Sequence, residues 1–285
     1  MAPYHSHQVH LIAYQEIIAK YIDQETARID TLITKKTRFI ELLREKRQAL
    51  ITRAVTKGLD PNVKMKDSGV EWLGQVPEHW EVKRLKFIAD IQTGLAKGKD
   101  NTGKCIIEVP YLRVANVQDG YLDLNEIATI EIPKEDLSRY RLQVGDVLMN
   151  EGGDYDKLGR GHIWNGEIKP CIHQNHVFAV RPVKLSSEWL NTFTGSKAAQ
   201  YYFIEKSKQS TNLASISSTN LMELPVPIPP KNEETVILKR LKHELNASDT
   251  LIAKTQLSID LLKERRSALI TAAVTGQIDL REATP

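Results

Sequence analysis

The stretch ELLREKRQALITRAVT, residues Glu41–Thr56, recurs as DLLKERRSALITAAVT, residues Asp260–Thr275. When the comparison is extended to residues 30–56 and 249–275, seventeen of twenty-seven residues are identical at a constant offset of 219. Apolar residues in both copies recur at steps of three and four, which is the spacing of a helix with one apolar stripe. The sequence therefore predicts two sister helices on either side of an unlike middle.

Both predicted helices are long. The first runs from about Gln8 to Thr56, where Gly58 provides a stop signal. The second begins after a proline-rich segment, with Asn232 as a candidate N-cap, and runs to about Thr275. One helix enters the middle and the other leaves it, so side-by-side packing makes them antiparallel. The residues expected to pair the helices in a coiled coil are Ile22, Ile29, Leu32, Phe39, Leu43, Leu50, Leu241, Leu245, Ile252, Ile259, Leu262 and Leu269.

The middle of the chain has a different pattern, in which Gly, Pro, Asn and Asp punctuate short apolar runs. YLRVANV from Tyr111, VGDVLM from Val144 and VFAVRPV from Val177 are typical of strands, and residues 187–194 and 197–208 of helices. The predicted fold class is α+β, with one mixed α/β domain and two long antiparallel coiled-coil helices. The predicted domains are residues 1–58, 59–231 and 232–285.

Charge and composition limit how the chain could contact DNA and where it is expected to be found. The net charge is +3, and residues 59–231 carry 21 basic and 22 acidic side chains, so any contact with DNA must come from local clusters. Cys105 and Cys171 are the only cysteines, and neither a membrane-spanning apolar run nor a signal-like start is present. We expect a cytoplasmic protein without a membrane partner.

Three segments join the repeated helices in a resemblance to a known family. They are KDSGVEWLGQVPEHWEVKRLK from Lys66, LMNEGGDYDKLGRG from Leu148 and STNLMELPVPIPPKNEE from Ser218. With them the chain resembles the specificity subunit of type I restriction–modification systems, in which target-recognition domains alternate with conserved long helices. A full subunit of that family usually carries two recognition domains. This chain carries one, and it looks like the carboxy-terminal half.

The resemblance implies a noncatalytic subunit that reads one half-site of double-stranded DNA with its recognition domain. The paired helices would act as a spacer ruler and as a docking surface for modification (methyltransferase) subunits, with a restriction (translocase/nuclease) subunit joining through the complex. No cofactor is expected in this chain, whereas S-adenosylmethionine, ATP and Mg²⁺ are expected on the partner subunits. A natural half-subunit is expected to form a homodimer, which would favour a symmetric, interrupted target.

Four polar segments of the middle are candidates for DNA contact. Two are rich in glycine, which permits close backbone approach, and all four offer amide, hydroxyl or basic groups that suit phosphates or base edges. Solvated turns and surface loops are the alternative interpretation of each segment. The candidate residues are Lys97, Lys99, Asn101, Thr102, Lys104, Asp154, Tyr155, Lys157, Arg160, Gln174, Asn175, His176, Lys206, Lys208, Gln209, Thr211 and Asn212.

Other function classes have weaker support. The chain has neither the NPPY or DPPY motif of a DNA methyltransferase nor a GxxxxGK[ST] phosphate loop. A Mg²⁺-dependent endonuclease would use Asp154 or Asp156 with Glu167 and Lys169. Its support is weak, because an acidic residue followed two positions later by lysine is a common pattern and occurs again at residues 81–83. A coiled-coil adaptor that binds only protein remains open, because the middle is nearly neutral. A zinc site from Cys171, His173 and His176 lacks a fourth ligand, so no metal site is expected.

Overall fold

The computed structural model describes residues 3–96, 98, 103–153, 158–159, 161–209 and 214–277, with side chains from residue 15 onward. The chain forms two compact units: a middle unit, Gln48–Lys242, and a helical unit, which consists of Met1–Arg47 and His243–Pro285. None of the described helices is long and apolar enough to cross a membrane. The helices are α1 (Pro3–Lys57), α2 (Leu137–Tyr140), α3 (Ser187–Thr194), α4 (Lys197–Lys206), α5 (Ser218–Met222) and α6 (Lys231–Val274).

The strands of the middle unit are short and form several small sheets. They are β1 (Met65–Asp67), β2 (Gln75–Pro77), β3 (Glu81–Arg84), β4 (Ala89–Thr93), β5 (Ile106–Leu112), β6 (Val117–Gln118), β7 (Tyr121–Leu122), β8 (Ala128–Pro133), β9 (Val147–Asn150), β10 (Gly152–Gly153), β11 (Gly161–Ile163), β12 (Ile172–His173), β13 (Val177–Pro182), β14 (Lys208–Gln209), β15 (Ala214–Ser215) and β16 (Pro225–Ile228).

Two sheets of the middle unit determine which strand ends lie at the same edge. The larger has the antiparallel order β11-β9-β13-β4, and the smaller has the order β12-β5-β8. In the smaller sheet β12 runs parallel to β5, with His173 opposite Leu112. Leu95, just beyond β4, forms a parallel bridge to Gln174. The chain therefore leaves β4, β5 and β12 in the same direction and at the same edge.

Apolar side chains from both sheets and from α3 fill the core. Trp80, Trp164 and Trp189 are fully buried. The rings of Trp80 and Trp189 meet edge to face at 5.6 Å, and the indole N–H of Trp189 donates to the carbonyl of Pro227 at 2.8 Å. Ser186 caps α3 by accepting a hydrogen bond from the backbone N–H of Trp189. The polar group of the buried Trp189 ring is thus satisfied within this core.

The structure confirms the mixed helix-and-strand class and corrects two local predictions. YLRVANV is strand only as far as Leu112, because the side chain of Asn116 accepts from the N–H of Arg113 and bends residues 114–116 into a 3₁₀ turn. Asn232 lies inside α6 and does not cap it, because the carbonyl of Pro230 already accepts the first helical hydrogen bond, from Glu234 at 2.9 Å. α3 and α4 lie at the predicted helical segments.

The helical unit pairs α1 with α6 in antiparallel fashion. Asp30 pairs with Arg266 at 2.9 Å, and Arg47 pairs with Asp249 at 3.3 Å. As the residue number rises along α1, that of the partner on α6 falls by the same amount. Asp30 is equivalent to Asp249 in the sequence repeat, and Arg47 to Arg266. The same ion pair therefore occurs twice, related by an approximate twofold axis.

The apolar stripe differs from the prediction at two positions. Leu32 is 40% exposed and Phe39 is 42% exposed, whereas Ile29 and Ile40 are almost fully buried. Steps of four and three from Ile29 lead through the half-buried Lys36 to Ile40. Leu32 and Phe39 therefore point about 60–80° away from the centre of the stripe. The prediction failed because it skipped a lysine whose aliphatic stem covers the seam. The other ten predicted pairing residues are buried or half-buried.

This register can be tested with neighbouring substitutions. Ile40→Asp should lower the free energy of unfolding of the helical unit by about 3 kcal/mol or more, because it leaves a charge unpaired in the stripe. Phe39→Asp is the matched control and should change it by less than about 0.5 kcal/mol. Urea unfolding followed by helical circular dichroism measures both, and equal losses would contradict the register.

Candidate nucleic-acid interface

Main-chain hydrogen bonds gather several strand ends at one edge of the middle unit. Leu95 donates to the carbonyl of His173 at 2.9 Å, and Gln174 donates to that of Leu112 at 2.8 Å. The N–H of Glu151 donates to the carbonyl of His176 at 2.9 Å, which joins the end of β9 to the same place. We call this the strand-end edge and define it as Leu95, Arg113–Val114, Glu151–Gly153, Gln174–His176, Lys208–Gln209 and Ala214–Ser215.

A cleft of about 560 Å³ opens at the strand-end edge. Its floor includes the pairing of Gly152 with Ser215, and a Cβ on Gly152 would lie 3.0 Å from the carbonyl oxygen of Ala214. A carboxylate, an imidazole, an ammonium group and an amide border it, which is a donor and acceptor set suited to base edges and phosphates. The lining residues are Val114, Glu151, Gly152, Gly153, His176, Lys208, Gln209, Ala214 and Ser215.

Glu151 and His176 form a pair in the cleft. Nδ1 of His176 lies 2.7 Å from the carboxylate of Glu151, which can only accept when ionised, so Nδ1 carries the proton and donates. In the neutral ring Nε2 is then an acceptor, and it lies 3.3 Å from the amide nitrogen of Asn175. The carboxylate thus fixes the orientation of an imidazole that is more than half exposed.

His173 anchors the turn that carries Gln174–His176. It is fully buried, and its Nδ1 lies 2.7 Å from the carbonyl oxygen of Val177 and donates to it. Burial lowers the pKa of His173 from its ordinary value of 6.5, because a charged imidazole would lose its hydration there. The ring is therefore neutral at pH 7, and its role is to hold the turn.

The predicted DNA-contact residues fall into three groups. Gln174, Asn175, His176, Lys208 and Gln209 lie together at the strand-end edge. Two others are surface cations with local acidic partners: Lys104 pairs with Glu135 at 3.8 Å, and Lys206 pairs with Glu205 at 2.8 Å. The remaining ten lie outside the described residues, and they are Lys97, Lys99, Asn101, Thr102, Asp154, Tyr155, Lys157, Arg160, Thr211 and Asn212.

The geometry of the described residues does not support the Mg²⁺ or the zinc hypothesis. Both oxygens of Glu167 are engaged locally by Asn165, at 3.1 Å each. Cys171 is buried, which raises the pKa of its thiol to about 12 and disfavours the thiolate that metals bind. Among the residues that the structure describes, no group of three or more His, Cys, Asp or Glu side chains is arranged to hold a metal ion.

Sequence reasoning did not single out Arg113 or Glu151. Each immediately follows an apolar strand, β5 or β9, and each belongs to the strand-end edge. A charged residue directly after a buried strand was the available signal. This signal was missed because Arg113 lies in a segment interpreted as one apolar strand, and Glu151 lies in a segment interpreted through its glycines.

The family comparison agrees with this architecture. The sequence model of the type I restriction modification DNA specificity domain matches residues 77–260, which is more than half of the chain. The chain belongs to this family. The long flanking helices and the mixed middle unit are therefore the fold of a type I specificity protein, as the sequence resemblance predicted.

Individual relatives are distant in sequence. The specificity subunit of the type I restriction enzyme EcoKI of Escherichia coli K12 is 24% identical over 277 residues, covering 94% of this chain and 56% of that protein. A putative MjaX specificity subunit of Methanocaldococcus jannaschii is 27% identical over 210 residues, covering 71% and 47%. The chain spans about half the length of these curated relatives.

Solved structures show the same fold. An HsdS subunit from Thermoanaerobacter tengcongensis aligns with a TM-score of 0.55 at 18% identity, covering 93% of this chain and 59% of that one. A chain from a study of complex assembly and conformational transition in a type I R-M system aligns with a TM-score of 0.66, also at 18% identity, covering 92% and 59%.

The neutral state of His173 predicts a pH dependence of stability. A lowered folded pKa means that the unfolded chain binds the proton more readily, so this stability is present above pH 6.5 and is lost as the pH falls below it. Between pH 7.5 and 5.5 the wild type should lose about 1 kcal/mol more than His173→Asn, which keeps a donor for Val177. Urea unfolding at both pH values measures this, and equal losses would contradict a neutral His173.

Proposed function

We propose that this chain is the noncatalytic DNA-recognition part of a type I restriction–modification complex, and that it reads one short half-site of double-stranded DNA with the strand-end edge. The observation that carries the proposal is the meeting of His176 with Lys208 and Gln209 around one cleft at the strand-end edge, in a chain of the DNA specificity domain family. Methylation and cleavage are then the work of separate subunits.

We assign the polar groups of the strand-end edge to two roles, positioning the DNA and reading its bases. Lys208 is exposed and carries a mobile charge, which suits a phosphate. The amides of Gln174 and Gln209 offer a donor and an acceptor side by side, the pattern that pairs with adenine. The carboxylate of Glu151 can accept from the amino group of cytosine. One edge thus supplies both the sequence-independent and the sequence-reading contacts of a half-site.

The helical unit supports the proposed roles of ruler and docking surface. An antiparallel pair of helices is stiff along its length, and half-sites one turn apart are separated by about 34–36 Å, which roughly 24 helical residues span. Leu32 and Leu42 on α1 and their repeat equivalents, Leu251 and Leu261, on α6 are 40–55% exposed. All four lie off the stripe and on the side of their helix away from Asp30 or Asp249, so the antiparallel pairing puts them on one side.

We place the modification subunits on this apolar side, with the restriction subunit joining through the complex. S-adenosylmethionine would then bind to the modification partner, and ATP and Mg²⁺ to the restriction partner. For a natural half-subunit, a second reading domain would come from a second copy in a homodimer.

The reading role predicts a charge effect confined to the cleft. In the full chain with its modification partner, Lys208→Glu should weaken binding to a duplex about tenfold or more and reduce the salt slope by about 1. Lys184→Glu makes the same charge change at an exposed position outside the cleft and should have little effect. Fluorescence anisotropy at several salt concentrations measures both, and equal effects of the two substitutions would remove the cleft from the interface.

The proposed homodimer predicts that the DNA target is symmetric. Selection from a random duplex pool with the modification partner should recover an interrupted palindrome, and the mass of the chain alone should be that of a dimer. A single short site from a monomer would contradict the homodimer while leaving DNA reading intact. No enrichment would overturn the proposal in favour of a coiled-coil adaptor that binds only protein.

A further inference from the structure

Arg113 lies at the strand-end edge on a backbone that is fixed from one side by Asn116. The N–H of Arg113 donates to the side-chain oxygen of Asn116 at 2.8 Å, and the N–H of Asn116 donates to the carbonyl of Arg113 at 2.9 Å. Asn116 is itself buried, and its amide nitrogen donates to the carbonyls of Asp123 and Glu126, at 2.9 Å each. The turn that begins at Arg113 is therefore internally cross-linked.

A second asparagine holds the other side of the turn. The amide nitrogen of Asn150, at the end of β9, donates to the carbonyl of Val117 at 2.9 Å and approaches that of Val114 at 3.4 Å. Val114 lines the cleft, and Leu112 accepts from Gln174. Arg113 is thus placed between the cleft wall and the turn that carries the predicted reading amides.

The side chain of Arg113 has no acidic partner among the described residues, unlike those of Arg84 and Arg181. It is half-buried, and its Nε is buried without a hydrogen-bond partner. No ion pair joins it to an acidic residue in the described part of the chain. Arg181, by contrast, makes two hydrogen bonds to Asp146, at 2.8 and 2.9 Å, and Arg84 pairs with Glu223 at 2.8 Å. Among the described residues, none accepts a hydrogen bond from Nε of Arg113.

We propose that Arg113 is a specificity-determining residue that reads a guanine in the DNA half-site, an inference that rests on the proposed function. Guanine presents O6 and N7 side by side, and a guanidinium presents two parallel N–H groups that match them. Such pairing discriminates between bases best when the guanidinium extends from a fixed point, and the two asparagines fix the backbone that carries the half-buried side chain. A phosphate contact needs no such precision, and the exposed Lys208 already suits one.

The test uses the full chain with its modification partner and a random duplex pool. The wild type should select a site with guanine at one defined position. Arg113→Lys keeps the charge and loses the planar fork, so discrimination at that position should fall by about tenfold to a hundredfold while the salt slope is unchanged. Lys208→Gln is the matched control, and it should lower affinity for all duplexes and keep the guanine preference.

Four results would overturn the assignment. If folded Arg113→Lys keeps the wild-type preference at every position, Arg113 does not read a base, although the wild-type selection still stands for DNA reading. If Arg113→Gln, which removes the charge, lowers affinity equally for all duplexes and reduces the salt slope by about 1, Arg113 contacts a phosphate. If the thermal midpoint falls while the selected sequence is unchanged, Arg113 is structural. No enrichment with the wild type would remove the proposed function, and this inference with it.

Discussion

The close backbone approach between residues 94–95 and residues 173–174 is the constraint on which the candidate interface depends. A Cβ on Gly94 would lie 2.2 Å from the carbonyl oxygen of His173 and 2.3 Å from that of Gln174, so only glycine fits. This approach allows Leu95 to bond to His173 while Gln174 bonds to Leu112. The residues that follow β4, β5 and β12 therefore lie at one edge, although these strands are far apart in the sequence.

The paired helices could be predicted from the sequence because their pattern occurs twice in it. Two copies of one apolar pattern predicted paired helices, and repeat-equivalent ion pairs, Asp30 with Arg266 and Asp249 with Arg47, show their antiparallel register. The exact stripe did not follow, because local hydrophobicity favours Phe39 over Lys36. Only the partner helix decides which of the two is covered, and a long lysine stem covers apolar surface well.

The candidate site was harder to predict than the fold. Gln174, Asn175 and His176 stand out as polar residues before an apolar strand, and the run around Lys208 is recognisable by composition. Arg113 and Glu151 are not, because their significance depends on the parallel pairing of β12 with β5 and the end of β9 lying beside them. That pairing joins residues about sixty positions apart, and short-range patterns do not encode it.

Hydrogen–deuterium exchange, in complex with the modification partner and with or without the selected duplex, tests the central claim most directly. If the strand-end edge reads DNA, adding the duplex should slow amide exchange around residues 113–118, 151–153, 174–176 and 208–209. The helical unit should change less, since its proposed contact with the partner is present in both states. Slowed exchange confined to α1 and α6, with the strand-end edge unchanged, would contradict the account.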